Sequence, residues 1–242
     1  MYEVSTSSVP GSREEQQDSF RVRESEGAVA AIVCDGMGGL SNGALASKTA
    51  ADKFIELCSG KAPDVSWTDF TVSAARALDE CVYKLSDSRG ARLRAGTTAA
   101  AAVIDGGALF WLSVGDSRIY IARGGEIQRL TRDHNYFLTL GGARALTRER
   151  YEAEARRGDA LISFIGMGGI DVMDANSSPL ALMPGDTLLL TSDGLYKAAR
   201  EEAIGRILCD SLPDKAPRLT YLAESSHKSS DNTTCVVIKY VA

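Results

Sequence analysis

The chain has 242 residues, 44% of them hydrophobic, and a formal net charge of -5. That length and apolar fraction fit one large globular domain with a substantial core. The mildly acidic balance, without a dense Lys/Arg run, argues against nucleic acid or an anionic membrane as main partner, and no stretch approaches the ~18 apolar residues of a membrane span.

The first residues, MYEVSTSSVPGSREEQQD, lack the charged-then-apolar layout of a signal peptide. Residues 20–23 alternate as a short strand. Residues 28–34 form a near-continuous apolar run, which predicts a strand buried on both faces. A Gly-rich turn leads into a helix over 44–58, apolar at 45, 50, 54 and 57. A second helix, 66–86, opens with Ser66-x-x-Asp69, a candidate capping box. Along it Val72, Ala75, Leu78, Val82 and Leu85 make one apolar stripe. Apolar strands at 98–104 and 108–114 meet at Asp105-Gly106, and alternating strands at 118–123 and 125–130 meet near Gly124-Gly125. A polar helix over 147–157 stops at Gly158. The pattern closes with a strand at 187–191, helices at 201–211 and 217–225, and a strand at 233–240.

Strands apolar on both faces need cover on both sides, and the short connections between them make antiparallel ladders. Two antiparallel sheets packed face to face, each flanked by a helix pair, satisfy both demands. The expected fold is therefore α+β, a four-layer α-β-β-α sandwich in a single domain spanning 1–242. A doubly wound sheet would need helices between successive strands, and residues 98–130 contain none.

Five aspartates sit at the ends of these strands: Asp18, Asp35, Asp116, Asp193 and Asp231. A rigid strand aims the carboxylate at its end. Carboxylates aimed at one point repel unless a cation lies between them. Oxygen-only ligands suit a hard divalent ion, Mg²⁺ or Mn²⁺. Phosphate chemistry is the natural use of such a site, because two hard ions can share a water, lower its pKa and neutralise phosphoryl charge. Arg13, close to Asp18 in the chain, is the candidate clamp for phosphoryl oxygens.

Other mechanisms fail on the residues. No cysteine is followed six positions later by Arg, and no D-x-D-x-T motif occurs. Only two histidines exist, His134 and His227; we read the first as structural and the second as a loop residue. Cys34, Cys58, Cys81, Cys209 and Cys235 are odd in number and form no CxxC pair. We expect free, mostly buried thiols and a cytoplasmic location.

The ordered segments REEQQD (13–18), DGMGGLSNGALAS (35–47), GTT (96–98), GDSR (115–118), LTRDH (130–134), GDTLLLTSDG (185–194) and Asp231-Asn232 resemble the metal-dependent protein serine/threonine phosphatases, the type 2C or PPM family, in its compact bacterial form. The resemblance covers nearly the whole chain and implies the same sandwich. It implies two ions, Mn²⁺ or Mg²⁺, bridged by Asp35, with the Gly36 carbonyl on one and Asp193 and Asp231 on the other. Asp18 would act through waters, Asp116 would belong to a third, weaker site, and Arg13 would hold the substrate phosphate. Implied partners are phosphorylated proteins, including serine/threonine kinases and their targets. A monomer is the default.

The chain departs from the family pattern at several places. Met37 stands where some members carry a histidine acid. Gln16 and Gln17 make the Asp18 segment less negative. Lys197 stands where some members place a second acid for the third ion, and a charged lysine cannot ligate one. Segment 138–180 is the most divergent; it reads as a surface helix and hairpin, or as a substrate-selecting flap with Gly166-Met167-Gly168-Gly169 as a flexible or tight turn. Two rival readings are a non-catalytic phosphatase-fold binding module and a small-molecule phosphoesterase.

Overall fold

The structure, a computed structural model, describes residues 1–37, 42–86, 88–142, 145–226 and 231–241. Residues 38–41 of the 35–47 segment, and His227, lie outside them. One sheet has the order β1 (Tyr2–Val9), β11 (Thr233–Tyr240), β10 (Thr187–Thr191), β6 (Arg118–Arg123), β7 (Glu126–Arg129). The other runs β2 (Asp18–Ser25), β3 (Ala28–Asp35), β4 (Ala99–Asp105), β5 (Ala108–Val114), β8 (Asp174–Ala175), with β9 (Leu180–Ala181) also paired to β5. Every ladder is antiparallel.

Strand alternation divides the core into three apolar layers. Val29, Ala31 and Val33 of β3 face the other sheet, meeting Ile119, Leu188, Leu190, Val236 and Ile238. Ala30, Ile32 and Cys34 face outward to α1 (Gly43–Ser59) and α2 (Trp67–Tyr83), against Phe54, Leu78 and Val82. On the far side Tyr120, Leu189 and Val237 pack on α5 (Asp193–Ala198), α6 (Glu201–Cys209) and α7 (Lys215–Glu224). The expected four layers are present, but three helices rather than two cover the β1–β7 sheet. The added one, α5, is only a turn and a half long and follows β10 directly.

Ser66 caps α2: its hydroxyl oxygen accepts from the Asp69 N–H at 3.0 Å, and the Asp69 carboxylate accepts the hydroxyl proton at 2.7 Å. Segment 138–180 holds the end of α3 (Tyr136–Thr139), then α4 (Arg148–Gly158) and β8. Its 166–169 turn is a tight one. Buried Asp79 of α2 accepts from the N–H groups of Gly166 and Gly168 at 2.7 and 3.2 Å, and Gly166 has φ +105, a left-handed backbone that favours glycine. His134 is fully buried, as expected of a structural residue. Its Nδ1 accepts from the Gly115 N–H at 3.2 Å, and Nε2 faces Asp174 at 3.5 Å. Arg132 and His134 hold the Asp174 carboxyl below the usual range, outweighing the opposing effect of its burial. No helix among the described residues is long and apolar enough to cross a membrane.

The alanines of β4 let both neighbours approach closely. Ala99 and Ala101 face α1 and α2, and Ala100 and Ala102 face the second sheet. Ala101→Leu should therefore overpack the helix–sheet layer and destabilise the protein by about 1–3 kcal/mol, measured by urea unfolding.

Candidate active site

Both sheets deliver acidic residues to one shared end. Asp18 opens β2 and Asp35 closes β3, and the two are directly paired across the ladder. Asp193 is the first residue of α5, separated from the end of β10 by Ser192 alone, and Asp231 lies just before β11. Asp116 follows β5. Asp35, Asp116, Asp193 and Asp231 line a single cleft of about 350 Å³, together with Arg13, Glu14, Glu15, Gly36, Met37, Asp159 and Lys197. Asp18 lies behind it, at the end of a larger groove of about 630 Å³ between β1 and β2. That groove contains no other residue of the candidate set, so the smaller cleft is the chemical one.

Ser192 ties the two sheets together at this end. Its hydroxyl donates to Asp18 Oδ2 at 2.7 Å and accepts from the Thr234 N–H at 2.9 Å. Thr98 Oγ1 accepts from the Asp35 N–H at 2.9 Å, and Thr97 Oγ1 donates to the Asp35 carbonyl at 2.9 Å. Asn232 fastens the Arg13 segment: its Oδ1 accepts from the Gln17 N–H, and its Nδ2 donates to the carbonyls of Pro10 and Glu15. A Cβ on Gly194 would lie 2.1 Å from the Asn232 carbonyl oxygen, so the start of α5 sits directly against the Asp231-Asn232 turn. Gly36 is equally confined, since an added Cβ would meet the Gly43 and Gln17 carbonyl oxygens at 2.4 and 2.5 Å. Only glycine brings the backbone this close.

Burial and mutual repulsion dominate the electrostatics. Desolvation, then the neighbouring Asp193 and Asp231 against the opposing pull of Ser192 and Thr234 hydrogen bonds, pushes Asp18 up to about 7. Asp116 is pushed up to about 7 by burial and then by Asp193. Asp35 is raised well above an ordinary carboxyl by burial, then by Asp18, Asp193, Asp116 and Asp231. Among the described residues, no three acidic, His or Cys side chains close into a cation cage. Internal cations hold two of the acids instead. Arg13 donates to Asp231 Oδ2 at 2.9 Å, and Lys197 donates to Asp193 Oδ2.

The residues nevertheless fit a hard divalent ion. Asp18 Oδ1 and Asp193 Oδ1 are buried acceptors without any hydrogen-bond donor. A buried, unpaired carboxylate oxygen is costly, and a cation would satisfy it. The donors are all oxygen, the set that Mn²⁺ and Mg²⁺ prefer. Of the five strand-end aspartates, Asp35, Asp116, Asp193 and Asp231 line the cleft together and Asp18 does not. Ser192, Thr98 and Asn232 stand in the matched segments, but their pinning roles were not anticipated because their partners are distant in the chain, and neither was Arg13 folded onto Asp231.

Residues 11–236 match the family described as Protein phosphatase 2C. The chain belongs to the protein phosphatase 2C family. It is 29% identical over 220 residues to protein phosphatase PhpP of Streptococcus pneumoniae, covering 86% of this chain and 84% of the relative. Among solved structures it is similar to the serine/threonine phosphatase of S. agalactiae, with a TM-score of 0.83, 29% identity and full coverage of both chains. It is also similar to the catalytic domain of the serine/threonine phosphatase PstP in complex with two manganese ions, with a TM-score of 0.79, 26% identity and coverage of 100% of this chain and 99% of that one.

The raised carboxyls have a pH signature. In the native state they stay protonated to a higher pH than in the unfolded chain. Their contribution therefore favours folding below about 4 and is lost as pH rises to about 7. Scanning calorimetry in chelator should show Tm falling across that window, and Asp116→Asn should flatten the fall. An unchanged slope in that variant would remove Asp116 from the set.

Proposed function

We propose that this chain, read as one catalytic domain over 1–242, hydrolyses phosphoserine and phosphothreonine in proteins with the help of two divalent ions, Mn²⁺ or Mg²⁺. One observation carries the reading: Asp35, Asp116, Asp193 and Asp231 share a cleft in which burial, and then the neighbouring carboxylates, push up Asp35 and Asp116. Asp35 would be shared between the ions, with the Gly36 carbonyl, Asp193 and Asp231 completing their protein ligands and Asp18 supporting them through solvent. When bound there, such ions supply Lewis-acid stabilisation of phosphoryl charge and lower the pKa of water.

The chain's own groups do the rest. Arg13 would bind the substrate phosphate through its planar fork of donors. One of those donors is held by Asp231, so release of Asp231 would free the full fork for phosphate. Met37 lines the cleft and holds no transferable proton, so protonation of the leaving alkoxide falls to solvent. Segment 138–180 reaches the cleft through Asp159 and Leu161 and would act as a flap against the protein substrate.

The proposed partners are phosphoproteins, including serine/threonine kinases and their targets, met by a monomer in the cytoplasm. All five cysteines are free thiols, which supports a reducing compartment. A non-catalytic binding module is disfavoured because the acidic set is intact.

An aryl-phosphate assay tests this. Activity should require Mn²⁺ or Mg²⁺ and vanish in chelator. Asp35→Asn should lower kcat about a hundredfold or more, the scale of losing one preorganised electrostatic stabiliser, while circular dichroism stays native. Full activity in chelator would exclude the proposal. Arg13→Ala should raise KM about tenfold, since a charge-assisted hydrogen bond contributes about 1.5–3 kcal/mol, with Mn²⁺ affinity retained. An unchanged KM would take Arg13 out of the substrate site.

A further inference from the structure

We propose that Lys197 is a built-in monovalent cation that occupies one side of Asp193 and limits divalent-ion uptake along the Asp116 edge of the cleft. The proposal rests on the ion-binding reading above and concerns how many ions this chain accepts.

Lys197 and Asp193 are four residues apart on α5, and a carboxylate N-terminal to a lysine at that spacing is an ordinary helix-surface pair. Three observations set this pair apart. First, Lys197 lines the cleft itself, and its side chain is 43% exposed while that of Asp193 is 12% exposed. Second, acids from two other segments line the same cleft as the ammonium: Asp116 in the β5–β6 connection and Asp159 at the end of α4. Burial opposes the charged form, yet Asp193 and then these two acids hold the lysine above its ordinary pKa. Third, the spacing is fixed by the adjacent residue. The Tyr196 hydroxyl donates to the Asp116 carbonyl at 2.9 Å, and the Arg118 guanidinium stacks 3.4 Å from the Tyr196 ring centre. This locks α5 to the Asp116 turn.

The ammonium takes Asp193 Oδ2 and leaves buried Oδ1 without a partner. Asp193 therefore offers one oxygen to an ion rather than two. A divalent ion approaching Asp116 and Asp193 from the Lys197 side meets a like charge fixed at close range, and such repulsion is strong in a partly desolvated cleft.

Calorimetric titration of the full chain with Mn²⁺ tests this by binding rather than turnover. Lys197→Met removes the charge and keeps the length; Lys197→Gln serves if the Met variant does not fold. In either variant the weakest Mn²⁺ should bind about tenfold tighter than in the wild type. Adding Asp116→Asn to the Met variant should cancel the gain. Superposable isotherms for wild type, Met and Gln variants, with uptake still lowered by Asp35→Asn, would overturn the role of Lys197 alone. Absence of any Asp35-dependent Mn²⁺ uptake would overturn the ion-binding reading and this proposal with it.

Discussion

Like-charge repulsion between buried carboxylates is the constraint that the site must satisfy. Acids gathered in a desolvated cleft stay ionised only if cations meet them. The protein meets part of that demand with its own side chains, Arg13 on Asp231 and Lys197 on Asp193. It leaves the rest unmet, as the raised Asp18, Asp35 and Asp116 and the unpartnered oxygens of Asp18 and Asp193 record. Acids placed this way favour positive charge between them.

The sandwich makes the repulsion tolerable by making it rigid. The two sheets are packed by branched aliphatic side chains from both inner faces, so their strand ends cannot drift apart to relieve the charge. Ser192 crosses between the sheets at the end where the acids gather, bonded to Asp18 on one and Thr234 on the other. Glycines at 36 and 194 remove the side chains that would hold the backbone segments apart. Packing, hydrogen bonding and small-residue contacts thus converge on one result, a set of acids held in place against their own field.

Much of this was legible in the sequence because double-sided burial leaves a plain mark. β3, β4, β5, β10 and β11 read as continuous apolar runs, and their ends pointed to the aspartates. β1 was invisible, since YEVSTSSV carries few apolar side chains and draws its stability from the whole length of β11. The two-residue strands β8 and β9 and the six-residue α5 are too short to show a period. The pinning roles of Asn232 and Asp79 were equally hidden. Their identities are ordinary for turns and helices, and their meaning comes from partners far away in the chain.

The β1–β11 ladder joins Tyr2 to Tyr240 and Val9 to Thr233, the most distant pairing the topology offers. Contacts of such separation are slow to form, because the whole intervening chain must first be gathered. The same strand brings Asp231 and Asn232, and Asn232 in turn anchors the Arg13 segment. A nascent chain still lacking β11 therefore has no complete cleft, and phosphate-cleaving competence arrives only with the closing stroke of folding.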